Sequence, residues 1–113
     1  TLRTLIDAGC YVEYDTFGRP GPMPIYLGQV LDAPSDTQRI NDIIELIAEG
    51  YLNHILISHD VCHKHLLVSY GGYGYAHILR NIVPIMQSKG MSDEQIHTLL
   101  VENPKRALTF TSV

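Results

Sequence analysis

Several things are scarce in this 113-residue sequence, and each scarcity argues against a class of protein. There are only two cysteines, Cys10 and Cys62. They make neither a zinc-finger spacing nor a disulfide framework, and they fit a reducing, cytoplasmic setting. Basic residues are few: 8 Lys and Arg against 12 Asp and Glu leave a net charge of −4. With no basic stripe, the chain is not expected to take nucleic acid as its main partner. No apolar stretch approaches the ~20 residues of a membrane span and no signal peptide is visible, so no membrane partner is expected either. Length is short as well. The chain suffices for one small domain but falls well below the ~250 residues of a complete α/β barrel. It opens on Thr1 rather than Met, and Leu2 to Gly9 already reads as the end of a helix. That opening is expected of a chain starting inside a larger fold, with a trimmed or processed start as the alternative.

What is present is organised around Ile55-Leu56-Ile57-Ser58-His59-Asp60. An apolar, branched run that stops at polar residues predicts a strand buried on both faces, as in a parallel sheet. In such sheets reactive groups stand at the carboxyl ends of the strands, which makes Asp60 a candidate catalytic or metal-binding carboxylate. The plain structural alternative is that Ser58, His59 and Asp60 cap the following turn.

Upstream, Leu2, Leu5 and Ile6 have helical spacing and Gly9 supplies a stop. Cys10 to Asp15 predicts a short strand that also ends in a carboxylate. Residues 16–34 read as a long connection, because Arg19-Pro20-Gly21-Pro22-Met23-Pro24 cannot sustain a helix or a central strand. A substrate-side loop and a plain spacer both remain open there. Ser35 and Gln38 form a capping box for a helix whose apolar face is Ile40, Ile43, Ile44 and Ile47, with Arg39, Asp42, Glu45 and Glu49 outside it and Gly50 at its end. Strand, helix and strand together make a βαβ unit.

Downstream, His59, His63 and His65 lie close together, but His63 and His65 sit in a loop without a visible supporting partner and read as solvent-exposed. The run Tyr70-Gly71-Gly72-Tyr73-Gly74-Tyr75 has two readings. Tyr70, Tyr73 and Tyr75 line a substrate pocket, since tyrosines give a rigid wall with a polar tip, or they cover the barrel edge. His77 to Ser88 predicts a helix broken at Pro84. Ser92 to Gln95 is a second capping box, with Ile96, Leu99 and Leu100 facing inward. Asn103 and Pro104 predict the cap and first position of a final helix, with Leu108 and Phe110 pinning its end to the core.

Taken together, Tyr11 to Gly18, Ile55 to Asp60, Tyr70 to Ile78, Asn81 to Pro84 and Glu102-Asn103-Pro104 resemble the end of a phosphotriesterase-family protein, nearest to the phosphotriesterase-related branch. The resemblance runs over essentially the whole chain, with several separated motifs in order. It implies an α/β fold: the C-terminal βα units, about strands seven and eight with their helices, of a (β/α)8 TIM-barrel metal-dependent hydrolase of the amidohydrolase superfamily. It further implies two divalent metal ions, zinc being the expectation, and a small-molecule ester, lactone, amide or phosphotriester substrate. The family aspartate that ends strand eight binds a metal and handles the proton of the attacking water, and that role falls on Asp60. The other family ligands lie on strands that this sequence does not contain. Two departures stand out. Thr16 follows Asp15 where some members carry a histidine or arginine, and the chain has no tryptophan where organophosphate- and lactone-cleaving members tend to place one. Both leave amide or ester substrates open. A homodimer is kept as an open expectation. The alternatives are a catalytically inactive barrel and a small α/β binding module lacking the metal site.

Overall fold

A computed structural model describes residues 1–19, 21–26 and 29–110. Two strands form its centre. Val12–Tyr14 (β1) runs parallel to Ile55–Ile57 (β4), pairing Val12 with Ile55, Glu13 with Leu56 and Tyr14 with Ile57. Two backbone bonds carry the pairing past the strands, Ser58 N–H to Tyr14 O at 2.9 Å and Phe17 N–H to Ser58 O at 3.1 Å. Parallel strands need a crossover, and here it includes the helix Asp36–Ala48 (α2). Among the described residues no strand pairs with the other edge of β4.

The short helix Leu2–Asp7 (α1) precedes β1. The connection expected over 16–34 contains structure. Gly21–Tyr26 (β2) and Gln29–Ala33 (β3) form an antiparallel ribbon, with a register shift between Met23 and Tyr26. The prolines did not prevent it, because a strand with one partner leaves half of its backbone groups outside any ladder. Pro20 lies outside the described residues.

The capping box on α2 forms as the spacing predicts, with Ser35 Oγ accepting from Gln38 N–H and Gln38 Oε1 accepting from Ser35 N–H. The helix buries Ile40, Ile43 and Leu46, while Ile44 and Ile47 are half-buried. Arg39 is a correction. Placed outside the apolar face by its charge, it is only 2% exposed, because α2 begins beneath the turn that follows β1 and its guanidinium finds partners there.

After β4 the chain turns back through Ile78–Ile82, one π-helical turn, into Val83–Ser88 (α3), then Asp93–His97 (α4). A second π turn, Thr98–Glu102, leads into Asn103–Leu108 (α5). Each π turn is followed by a proline, Pro84 or Pro104, in the first turn of the next helix. A proline lacks its N–H and its ring collides with the carbonyl four residues back; a widened turn just upstream relieves both. The second capping box, at Ser92, forms.

The core joins Val12 and Ile55 of the strands to Ile40 and Ile43 of α2 and to Ile78, Ile82, Met86, Ile96 and Leu99 from the C-terminal helices. Each such fully buried side chain contributes about 2 kcal/mol by removal from water. Asn103 is not a cap. Completely buried and helical, it donates from Nδ2 to the carbonyls of Leu52 and Ile55, both at 2.7 Å, and so ties α5 to the entry of β4. Leu108 and Phe110 do not pin the end either. They are 80% and 98% exposed, because the last turn of α5 and the residues after it lie off the core face.

Candidate active site

The site is built where β1 and β4 end. After Ile57 the backbone runs through Ser58 and His59, then reverses at Asp60, whose φ of 51° is uncommon for a residue with a Cβ. Aspartate tolerates that left-handed conformation better than most residues. Asp60 Oδ2 accepts from Arg19 Nη1 at 2.5 Å. The Arg19 side chain is 16% exposed and that of Asp60 is 45% exposed. The Cys62 Sγ lies 3.9 Å from the same oxygen.

His59 turns inward, and its Nε2 accepts from the N–H of Ile78 at 3.1 Å. Burial, assisted by the neighbouring His77, holds its imidazole below the ordinary histidine range, which keeps that nitrogen available as an acceptor. His59 therefore satisfies one of the N–H groups at the start of the C-terminal helical segment.

Beneath this rim lies a buried polar cluster. The Asp36 carboxylate, in the first turn of α2, accepts from Gly18 N–H at 3.0 and 3.1 Å, from Arg39 Nη1 at 3.0 Å and from His77 Nε2 at 2.8 Å. Asn81 Nδ2 donates to His77 Nδ1 at 2.8 Å, which fixes the ring hydrogen on Nε2. Arg39 Nη2 donates to Thr16 Oγ1 at 2.8 Å, and its guanidinium carbon lies 5.9 Å from the centre of the Phe17 ring. Gly18 is required at its position: its φ is +85°, and an added Cβ would come within 2.9 Å of the His77 ring. The turn Thr16–Arg19, which carries the arginine to Asp60, is thus held from below by hydrogen bonds to two charged side chains.

The predicted pocket tyrosines separate. Tyr73 stacks on His77, with ring centres 4.3 Å apart, and lines a small cavity with Phe17, Arg19, His59, Val61 and Leu66. Tyr70 lies outside that cavity, under the Lys64 ammonium at 4.5 Å, and Tyr75 is 69% exposed. His63 and His65 are exposed, with their rings stacked on each other. Among the described residues no group of three His, Cys, Asp or Glu side chains is placed to hold a metal ion. Asp60 has the chemistry of a single metal ligand: it is a hard oxygen donor beyond a strand end, and its Oδ1 accepts no hydrogen bond among the described residues.

The sequence reading missed Asp36 and Arg39, and noted His77 only as a helix start. The available signal was the pair Asp36 and Arg39 at helical spacing, since one member of such a pair can shield the other from desolvation.

Residues 1–108 match the phosphotriesterase family. The chain belongs to the phosphotriesterase family. Among curated relatives, the N-acetyltaurine hydrolase of Danio rerio is 49% identical over 102 residues, covering 90% of this chain and 29% of the relative. That of Dictyostelium discoideum is 52% identical over 101 residues, covering 89% and 27%. The chain thus spans under a third of the length of these relatives. Among solved structures, a resiniferatoxin-binding protein from Rhodobacter sphaeroides superposes with a TM-score of 0.83 at 38% identity, over 91% of this chain and 28% of that one. A phosphotriesterase homology protein from Escherichia coli, complexed with phosphate in its active site, gives 0.77 at 31% identity, over 92% and 32%. The α/β architecture is accordingly that of a portion of a phosphotriesterase-family TIM barrel.

Proposed function

We propose that this segment forms one edge of the active site of a metal-dependent hydrolase that cleaves the amide of N-acetyltaurine, adding water and releasing acetate and taurine. The observation that carries the reading is Asp60, three residues past the carboxyl end of the parallel strand β4, in a chain 49% identical to an N-acetyltaurine hydrolase. On this reading β1 and β4 are strands seven and eight of the barrel, residues 1–113 are a C-terminal part of one barrel domain, and the free edge of β4 meets strand one. Asp60 is a ligand of a pair of divalent ions, zinc being the expected metal, with the remaining ligands on other strands. When bound, such a pair polarises the scissile carbonyl and acidifies water. Asp60 takes the proton of the attacking water and passes it to the departing amine. Tyr73, which lines the cavity, faces the substrate, while Tyr70 and Tyr75 stand on the same loop outside it. The free thiols of Cys10 and Cys62 suit a cytoplasmic protein, and a homodimer stays an open expectation.

The test uses the full-length protein. Acetate release from N-acetyltaurine is compared with release from lactone, ester and phosphotriester substrates, alongside metal content by mass spectrometry. Asp60→Asn is expected to lower kcat about 1,000-fold and to reduce bound metal. Undiminished turnover in that variant, or preference for a phosphotriester, would overturn the reading.

A further inference from the structure

We propose that Arg19 is the specificity residue of this site, its guanidinium binding the anionic oxyacid group, sulfonate or carboxylate, at the amine end of an N-acyl substrate. The inference rests on the amide-hydrolase reading above and adds to it the group that recognises charge. Four observations lead to it.

The first is position. Arg19 lines the same cavity as His59 and Tyr73, and it is the one Lys or Arg among the described residues that line it. The second is rigidity. Its turn is anchored by Gly18 N–H on Asp36 at 3.0 Å, by Phe17 N–H on Ser58 O at 3.1 Å and by its own N–H on Thr16 O at 3.2 Å. A charge presented from so fixed a backbone loses little entropy on binding.

The third is donor accounting. A guanidinium has five N–H donors, and among the described residues Arg19 spends only Nη1, on Asp60. Nε and Nη2 remain to receive two oxygens of an oxyacid in parallel. The fourth is charge. With its side chain only 16% exposed, Arg19 is neutralised here by Asp60. A carboxylate committed to a divalent ion no longer supplies a full negative charge to the arginine. The guanidinium then needs another anion, because a poorly solvated cation beside further cations is costly. A substrate with an anionic tail supplies it, and Leu66 and Tyr73 give an apolar wall for the short carbon link between amide and anion.

The test again uses the full-length protein, with Arg19→Met and Arg19→Lys. Three amides are compared by kcat/KM: N-acetyltaurine, N-acetyl-β-alanine and the neutral N-propylacetamide. Binding of propanesulfonate is measured in parallel by calorimetry, and metal content by mass spectrometry. Arg19→Met is expected to lose about 50-fold on the anionic amides and to stay within about threefold on the neutral one, at unchanged metal content. Arg19→Lys should fall between, since an ammonium keeps the charge but not the fork. The ratio of the two anionic amides tells sulfonate from carboxylate. Equal losses on charged and neutral amides, or a fall in bound metal, would overturn the proposal and leave Arg19 as a support for Asp60. Should Arg19→Met fail to fold, the same comparison in Arg19→Lys decides. If the wild-type protein hydrolyses none of the amides, the proposed function fails by itself. Propanesulfonate binding that is weakened in Arg19→Lys still upholds an oxyacid site, and no binding to the wild type overturns it.

Discussion

Helix α2 carries two charge clusters, one at each end, and they differ in nearly everything except composition. At its start, Asp36 and Arg39 join His77, and Arg39 is almost completely buried. Toward its end, Glu45 and Glu49 hold Arg3 of α1 at 2.6 and 2.5 Å, with side chains 35% to 65% exposed. The second set has the shorter distances. The first has the larger consequence, because solvent screens an exposed pair and gains entropy when it breaks, whereas a buried group that loses its partner has nothing to replace it. Distance alone therefore ranks the two clusters wrongly; burial and the number of dependent partners rank them correctly. The buried cluster also reaches the site through Gly18 and Tyr73, and the exposed one contacts no residue of the site cavity.

The comparison breaks first at Asp36. Asp36→Ala removes the acceptor shared by Gly18, Arg39 and His77 and is expected to cost about 3 kcal/mol, read from the urea midpoint of the full-length protein. Asp36→Asn should recover part of this. A destabilisation no larger than that of an Arg3 variant would show that burial does not separate the clusters. A smaller effect is expected of Gly18→Ala, about 1–2 kcal/mol, because the new methyl meets the His77 ring at a left-handed φ.

The smallest effect is expected of Arg3→Ala, whose Tm should match the wild type within error. The exposed cluster can still be seen through pH. Hydrogen bonding to Arg3 is the main cause holding the Glu49 carboxyl below its ordinary 4.5. A depressed carboxylate contributes stability above the unfolded-state value and loses it as pH falls through the folded one. Any small advantage of wild type over Arg3→Ala should thus be present at neutral pH and be lost as pH falls through the lowered Glu49 value, below 4.5. Denaturant titrations of both proteins at several pH values check the sign; an advantage that grows on acidification would contradict it.

How much of this was legible beforehand follows a pattern of locality. Both capping boxes, the helix break at Pro84 and the strand leading to Asp60 involve neighbours within about four residues, and their spacing exposes them. Arg39 looked external because periodicity sorts residues by polarity, and polarity does not reveal that a partner waits 23 residues upstream at Thr16. Asn103 looked like a cap because asparagine before proline usually is one, yet its amide serves carbonyls 48 and 51 residues away. Pro22 and Pro24 hid a ribbon, since the exclusion of proline from strands applies to strands with two partners.

By itself the sequence determined the order of the βαβ unit and the start of its helix, because apolar period, caps and glycine stops act within one or two turns of chain, while both strands came out shorter than predicted. It also pointed to a carboxylate just past the second strand, which the structure places three residues beyond Ile57 at a left-handed φ. Only the tertiary structure decided what surrounds that carboxylate. Arg19 reaches Asp60 across 41 residues, and Asp36 gathers Gly18 and His77 from 18 and 41 residues away. Such contacts depend on the packing of β1, β4 and α2 into one core, which sets the separation of side chains that no local spacing relates.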